Sequence, residues 1–318
     1  MKEIFGVPDI IVEARESALA KTKEGRKPGL NWALLTLIAF LILMIGDIID
    51  SMLVSIPAFV PMIFKGPDAF NRAYLQSELA TVLTLVFLGV ITVMFALYVK
   101  FVEKRKIRTI GFVKKNAVVH YLIGIVVGFG IFSLAILICY LTGAITIEKS
   151  SNFSMLYFIL YNIGWFIQGM EEEVVCRGFL LTSISRRNSV VAGTIINALF
   201  FACLHLANDG LSVLAFINLI LFGLFASLVF VKTGNIWMCS AIHSVWNMVQ
   251  GNFYGIQVSG NPLMPSVLKT NFVEGKDLFN GGAFGLEGGL GVTIVLVIGI
   301  VIFFFIPTGK KAAEEKKS

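Results

Sequence analysis

Charged side chains are scarce in this chain: Asp, Glu, Lys and Arg make up 14% of its 318 residues, against 57% hydrophobic residues. Apolar runs of about 20 residues, the length needed to cross the hydrocarbon of a bilayer, recur throughout. This balance excludes an ordinary soluble domain and predicts a protein of the lipid bilayer. The net charge of +6 does not predict nucleic-acid binding, because the Lys and Arg residues lie in loops and tails, where they report membrane topology.

The sequence also lacks the short motifs of the common hydrolases and metal proteins. It contains no HExxH and no GxSxG motif, which carry zinc and serine hydrolysis in many enzymes. Its four cysteines have no CxxC spacing and predict neither a disulfide framework nor a zinc site. Residues 1–31 hold no apolar core, so we expect no cleavable signal peptide.

The apolar runs predict an all-α, polytopic membrane protein with about eight transmembrane helices. They lie at about residues 32–53, 79–99, 117–143, 153–175, 190–206, 211–231, 236–253 and 290–306. The transmembrane domain is then residues 32–306, between an N-terminal tail of residues 1–31 and a C-terminal tail of residues 307–318. With the N terminus in the cytoplasm, the cytoplasmic segments hold 21 Lys and Arg residues and the opposite segments hold 5. We therefore predict a multi-pass cell-membrane protein with both termini in the cytoplasm.

Acidic residues, proline and glycine predict local features of the first and third spans. Asp47 and Asp50 share one face of the first span, either near the outer interface or as a second polar site facing the bundle. Pro57 and Pro61 predict that this helix ends and is followed by a bent interfacial segment. In the third span, the GxxxG motif that begins at Gly124 predicts the close approach of another helix.

Two segments outside the spans are predicted to be irregular. Residues 9–21 are interpreted as solvated tail, with a short interfacial helix as the alternative. The loop after Phe253, rich in Gly and Pro, is interpreted as a series of turns, with a lid over a pocket as the alternative.

The main concentration of charge within an apolar run is Gly169-Met170-Glu171-Glu172-Glu173-Val174-Val175-Cys176-Arg177. In lipid each of these charges costs about 2.5–3.5 kcal/mol on insertion scales, so the cluster indicates function. Glu173 and Arg177 are four residues apart and can pair on one face of a helix. Glu172 lies about 140° around the helix from Arg177 and is free for chemistry, whereas Glu171 has no assigned role. The alternative is that the carboxylates lie at a helix end among lipid headgroups.

Two further spans carry polar residues at a matching depth. Glu172 lies fifteen residues before the turn at 186–188 and His205 about fifteen after it, so antiparallel helices bring them to one level. His243 and Asn247 lie one turn apart on the seventh span. The spacing therefore predicts a pocket inside the membrane that is lined by three helices.

These residue types suit the attack of water on a peptide carbonyl. A carboxylate such as Glu172 can take a proton from water as a general base. A neutral histidine beside it can hold that water. The N–H groups of His243 and Asn247 can stabilise the oxyanion that forms. The Glu173–Arg177 pair would then hold the helix in place.

The same residues resemble the motifs of a known family. Glu172-Glu173-x-x-x-Arg177, Phe201-x-x-x-His205 and His243-x-x-x-Asn247 are similar to the three motifs of the CPBP family. That family comprises the CAAX prenyl endopeptidases and the bacteriocin-processing or self-immunity proteins, also called the Abi family. The resemblance covers about residues 117–253.

The resemblance implies a hydrolase, namely an intramembrane endopeptidase of the glutamate-protease type that needs no cofactor. The implied catalytic residues are Glu172 as general base, His205 to position the water, and His243 with Asn247 as the oxyanion site. The implied supporting residues are Glu173, Arg177 and Phe201. The implied partners are the lipid bilayer and a peptide or membrane-protein substrate, with no nucleic acid.

Several alternatives stay open at this point. Glu172, His205 and His243 are also a set that ligates zinc with water in the fourth position. A second alternative is a non-catalytic membrane scaffold that regulates a partner or confers immunity, and a third is a transporter. The sequence does not decide whether the substrate is a prenylated protein or a leader-bearing peptide. The sequence also leaves undecided to which face of the membrane the pocket opens. Glu172 lies about 22 Å from the basic turn, past the bilayer midplane, whereas the resemblance implies an opening to the cytoplasm.

Overall fold

The computed structural model describes residues 7–19 and 30–306, and most of them are helical. The α-helices of this part are α1 Asp9–Leu19, α2 Trp32–Lys65, α3 Arg72–Leu75, α4 Glu78–Phe87, α5 Gly89–Leu97, α6 Ala117–Leu141, α7 Met155–Glu173, α8 Thr182–Arg187, α9 Val190–Leu204, α10 Val213–Thr233, α11 Trp237–Met248, α12 Asp277–Asn280 and α13 Leu290–Phe305. Short π-helical segments follow three of them, at Tyr98–Val102, Val174–Leu181 and Val249–Phe253. Turns of 3-10 helix lie at Pro67–Ala69, Ile107–Ile110, Gly282–Phe284 and Leu286–Gly288. The predicted C-terminal tail, residues 307–318, lies outside the described residues, as do residues 1–6 and 20–29 of the predicted N-terminal tail.

Long apolar helices dominate the fold, as the composition predicts. Among the described residues, four helical segments are long and apolar enough to cross a membrane: Trp32–Lys65, Glu78–Val102, Ala117–Leu141 and Val213–Thr233. Their presence confirms a helical protein of the membrane. Two shorter apolar helices, α9 and α13, are below the length of a full span, so the number of eight spans stays a prediction.

The first long helix differs from its prediction. Helix α2 continues to Lys65 with Pro57 and Pro61 inside it, so the predicted helix end near residue 53 and the bent segment after it are wrong. A proline inside a helix removes one backbone hydrogen bond. In hydrocarbon, however, a broken helix leaves many more backbone groups without a partner. The apolar residues around the two prolines therefore remain helical.

Close packing of α6 against α11 confirms the prediction from the GxxxG motif. A Cβ atom at Gly124 would lie 2.6 Å from the Met238 carbonyl oxygen, and one at Gly128 would lie 2.8 Å from the Ile242 carbonyl oxygen. Because those contacts are with backbone, only glycine allows this approach. The next residue after Ile242 is His243, so the packing of α6 fixes the helix that carries a predicted catalytic residue.

Gly128→Leu should therefore destabilise the protein and reduce its activity. Forcing extra atoms into a packed contact typically costs about 1–3 kcal/mol, and here the clash is with the backbone of α11. Thermal unfolding in detergent measures the effect. Gly130→Leu is the matched control, because Gly130 is exposed on the same helix with no atom within 4 Å of its would-be Cβ. Equal melting temperatures for the two variants would contradict the packing argument.

A small antiparallel sheet departs from the predicted all-α class. Strand β1, Ile145–Lys149, pairs with strand β2, Leu268–Phe272, in the register Ile145↔Phe272. The two strands lie more than a hundred residues apart in sequence, and each has five residues. Such a pair gives no local periodic signal, which is why the sequence did not predict it. The sheet joins the loop after α6 to the loop after α11.

One end of the helix bundle is built around α1 and basic side chains. Residues 9–19 form a helix and not a solvated tail, and Ile10 and Ile11 are buried. Arg15 donates hydrogen bonds to the carbonyl oxygen of Ser185, at 2.9 and 3.1 Å. The Ile236 backbone N–H, at the turn before α11, donates to Gly111 at 3.0 Å. We call α1 together with loops 103–116, 188–189 and 234–236 the basic end.

The other end contains the sheet. The loop between α9 and α10 contacts the long loop before α13 there, since Asn208 Nδ2 donates to the Ser259 carbonyl oxygen at 2.8 Å. We call β1, β2 and loops 205–212 and 254–289 the sheet end.

Candidate active site

The glutamate motif lies on one continuous helical rod that changes its hydrogen-bond pattern immediately after Glu173. Helix α7 runs into the π-helical segment Val174–Leu181, and this segment runs into α8. π-helical turns are rare and frequently occur at functional sites. The change of pattern therefore marks the region of Glu171–Arg177 independently of its charge.

Glu173 and Arg177 form the predicted ion pair in the interior of the protein. Arg177 Nη1 donates to Glu173 Oε1 at 2.7 Å, and both side chains are fully buried. Arg177 Nη2 also donates to the carbonyl oxygen of Gly223 on α10 at 3.1 Å. Its guanidinium lies over the ring of Phe201 on α9, 5.1 Å from the ring centroid. One arginine thus joins α7, α9 and α10.

His243 lies between two adjacent glutamates of the motif. Its Nδ1 is 2.9 Å from Glu173 Oε1, and its Nε2 is 3.7 Å from Glu172 Oε2. Because a carboxylate only accepts hydrogen bonds, the Nδ1–H of His243 donates to Glu173. In the neutral ring Nε2 then carries a lone pair directed towards Glu172, and it becomes a donor only when the ring is protonated.

Gln168 links Glu172 to Asn247, and the sequence did not predict it. Its side-chain amide donates a hydrogen bond to Glu172 Oε1, and its Oε1 accepts one from Asn247 Nδ2 at 2.9 Å. Gln168 is buried, one helical turn before Glu172 on α7. That four-residue spacing was the available signal. Asn247 uses one of its two amide hydrogens in this contact and keeps the second.

His205 ends α9 and is held by the turn that precedes it. Its Nδ1 lies 2.9 Å from the carbonyl oxygen of Phe201, to which it donates, so Nε2 is the acceptor in the neutral ring. The Phe201 ring contacts both imidazoles, with centroid distances of 4.9 Å to His205 and 5.9 Å to His243. Phe201 therefore orients the two histidines.

A cavity of about 920 Å³ brings the predicted catalytic residues together. Glu172, His205, His243 and Asn247 all line it. The cavity extends to loop residues of the sheet end, including Asn208, Asn261, Pro262 and Leu263. In the part of the chain that the structure describes, no residue of the basic-end loops lines it. The cavity is large enough for a segment of peptide.

A metal site is not apparent in this geometry. Within residues 7–19 and 30–306, no group of three or more His, Cys, Asp or Glu side chains is arranged to hold a metal ion. The zinc alternative with Glu172, His205 and His243 as ligands therefore has no support from the arrangement of these side chains.

Comparison with known proteins identifies the region that contains all three motifs. Residues 152–249 match a family model described as Type II CAAX prenyl endopeptidase Rce1-like. This match to the Rce1-like family confirms the resemblance to the CPBP family and implies a membrane protease, a hydrolase, over this part of the chain. No curated protein and no solved structure matches the chain. The individual roles of Glu172, His205, His243 and Asn247 stay predictions.

Proposed function

We propose that this chain is an intramembrane endopeptidase that hydrolyses a peptide bond with water activated by Glu172. The observation that carries the proposal is that Glu172, His205, His243 and Asn247 line one cavity within the region that matches the Rce1-like family. The substrate class is a membrane-associated or leader-bearing peptide or protein.

The first step is the activation of water by Glu172. Its Oε2, buried and without a hydrogen-bond partner among the described residues, is available to accept a proton. Water bound between Glu172 and the Nε2 atom of His205 gives that proton to the carboxylate. The water oxygen then forms a bond to the peptide carbonyl carbon, and the carbonyl electrons move to oxygen to form an oxyanion.

His243 and Asn247 stabilise this oxyanion. The second amide hydrogen of Asn247 is free to donate, since the first is used on Gln168. His243 donates from Nε2 in its protonated form, and Glu173 at Nδ1 stabilises the positive charge of that ring. The neutral ring of His243 has no Nε2–H, so His243 joins Asn247 as a hydrogen-bond donor to the oxyanion only when its ring is protonated. The C–N bond then breaks, and the proton held by Glu172 passes to the leaving amine.

Chelator resistance tests the metal-free mechanism. We expect purified protein in lipid vesicles to cleave internally quenched peptides at the same rate before and after treatment with 1,10-phenanthroline. A zinc enzyme loses activity under this treatment because water activation depends on the metal. A zinc protease reconstituted in the same vesicles is the control for chelator access. Loss of activity that added zinc restores would overturn the glutamate mechanism.

We propose further that the chain crosses the membrane several times with both termini in the cytoplasm. The basic end carries Arg105, Lys106 and Arg108 in the loop beside α1, and Lys and Arg mark the cytoplasmic side of membrane proteins. The cavity extends towards the sheet end. A substrate would then reach the site from the side opposite the cytoplasm. This direction agrees with the depth of Glu172 counted from the basic turn, and it differs from the cytoplasmic opening that the family resemblance implies.

Labelling of introduced cysteines in intact cells tests this orientation. We expect Glu274→Cys, at the sheet end, to react with a membrane-impermeant maleimide added outside the cells. Lys106→Cys, at the basic end, should react only after the membrane is opened. Both positions are exposed, and the exposed native Cys203 is replaced with Ser in both variants. The reverse pattern would overturn the orientation.

A further inference from the structure

The cavity has more carboxyl groups than the proposed hydrolysis uses. Five carboxylates line it, those of Asp47, Glu78, Glu171, Glu172 and Glu287. Across residues 7–19 and 30–306, no Lys or Arg is among its lining residues. An anionic cavity with low-dielectric walls concentrates cations.

Two of these carboxylates accept hydrogen bonds from side chains or backbone of the protein. Glu78 accepts a hydrogen bond from the hydroxyl of Tyr161. Glu287 accepts from Trp246 Nε1 at 3.1 Å and from the Ser259 backbone N–H at 2.7 Å. These two groups are therefore structural, which leaves Asp47 and Glu171 without an assigned role.

Two further acidic groups lack partners. Glu171 is 3% exposed, and its Oε1 accepts no hydrogen bond within the described part of the chain. Asp50 on α2 is 5% exposed, and its Oδ1 is equally unpartnered there. Asp47, one turn before Asp50 on α2, lines the cavity together with Glu171. Asp47 and Glu171 thus lie at the cavity surface, and Asp50 is buried one turn along α2 from Asp47.

The charged form of such a group needs a positive partner. Without one, a buried carboxylate takes up a proton because its charge is costly to bury, and a cation that enters the cavity would stabilise the charged form. A metal ion does not fit, because the described residues hold no group arranged as metal ligands. The ammonium of Lys or the guanidinium of Arg fits better, because each is carried on a long flexible stem and donates several hydrogen bonds.

Glu171 and Asp47 lie close to the residue that is proposed to activate water. Glu171 is the neighbour of Glu172 in sequence, and both line the cavity. Asp47 and Met44 line the cavity and also an apolar stretch of the surface of α2. Asp47 therefore lies where this surface meets the cavity.

We propose that Asp47 and Glu171, backed by Asp50, form a cationic subsite that holds a Lys or Arg side chain of the substrate beside the cleaved bond. The subsite deepens the proposed endopeptidase function and rests on it. The preferred substrate class is a membrane-associated peptide with a basic residue close to its cleavage site.

Equilibrium binding tests the subsite without the need for cleavage. The protein is the full chain with Glu172→Gln, reconstituted in nanodiscs of neutral lipid so that the bilayer adds no charge. The probes are four fluorescent peptides of leucine and serine that differ only in one central residue: Lys, Arg, norleucine or citrulline. Norleucine and citrulline match the two basic side chains in length and lack their charge.

We expect the Lys and Arg peptides to bind at least about tenfold more tightly than their neutral counterparts, because charge-assisted hydrogen bonds out of water are strong. With Asp47→Asn and Glu171→Gln together, the preference should fall below about twofold. Glu274→Gln is the matched control, since it removes an exposed carboxylate of the sheet end, and it should keep the preference. Equal binding of all four peptides, or a preference retained by the double variant, overturns the proposal.

A cleavage assay separates this proposal from the proposed function. The same peptides, with a quencher added, are given to protein with Glu172 intact. If they are cleaved without preference for the basic residue, the endopeptidase stands and the subsite is wrong. If none is cleaved while the basic peptides still bind preferentially, the subsite stands and the endopeptidase proposal is wrong.

Discussion

Glu172→Gln is expected to slow peptide hydrolysis by about 10²–10⁴-fold, the range by which a general base accelerates a reaction. Gln has the same shape as Glu and still accepts the hydrogen bond from Gln168, but it cannot take a proton from water. The fold should therefore remain while the chemistry stops. Initial rates of peptide cleavage in vesicles measure the effect, and thermal unfolding checks the fold.

Glu274→Gln is the control for this experiment, because it changes the same chemical group at an exposed position. In cells, proteomics of membrane peptides should show substrates that accumulate uncleaved when Glu172→Gln replaces the wild type. A cellular phenotype that persists in Glu172→Gln would contradict the catalytic role and favour a scaffold that acts by binding. Cleavage that persists in the purified variant would assign the base to another residue.

Arg177→Met is expected to lower the free energy of unfolding by about 3–5 kcal/mol, the cost of breaking a buried ion pair by removing one partner. The change leaves the fully buried Glu173 without its guanidinium and removes the hydrogen bond to Gly223. Met keeps most of the side-chain length, so loss of volume is a smaller part of the effect. Chemical or thermal unfolding in detergent measures the difference.

Two further variants identify the cause of the Arg177→Met effect. Arg108→Met should change stability by less than about 1 kcal/mol, because Arg108 pairs with Glu13 at an exposed site. Adding Glu173→Gln to Arg177→Met should recover a substantial part of the loss, since the unpaired buried charge is then gone. If the double variant is no more stable than Arg177→Met alone, the loss does not come from the charge of Glu173.

Local spacing in the sequence was enough to predict part of the candidate site. The four-residue spacing of Glu173 and Arg177 predicted their ion pair, which depends only on one helix. The depth count for Glu172 and His205 needed one further fact, that the two helices are antiparallel neighbours. The GxxxG motif predicted a close helix contact because the absence of a side chain at Gly124 and Gly128 is itself the signal.

Features that depend on tertiary contacts were not predictable in this way. The spacing of Gln168 and Glu172 indicates only that the two can meet on one helix, and the link to Asn247 depends on where that residue lies on another helix. The contact of His243 with Glu173 assigns its tautomer, which no spacing reveals. The continuity of α2 through Pro57 was missed because proline rules come from helices in water, whereas lipid penalises a broken helix more strongly.

The π-helical segment Val174–Leu181 has a consequence for insertions and deletions in this helix. Each hydrogen bond of a π-helix spans one residue more than in an α-helix, so the segment holds a residue that an α-helix of the same length would not. Deleting one residue near Leu180 would restore a regular α-helix and leave everything beyond it in nearly the same orientation relative to Glu172, because the segment already accommodates one extra residue. The same deletion within the α-helical turns of α8 would turn everything beyond it by about 100°. The phase between the glutamates and the basic end is therefore far less sensitive to the loss of a residue in the π-helical segment than in the α-helical turns that follow it.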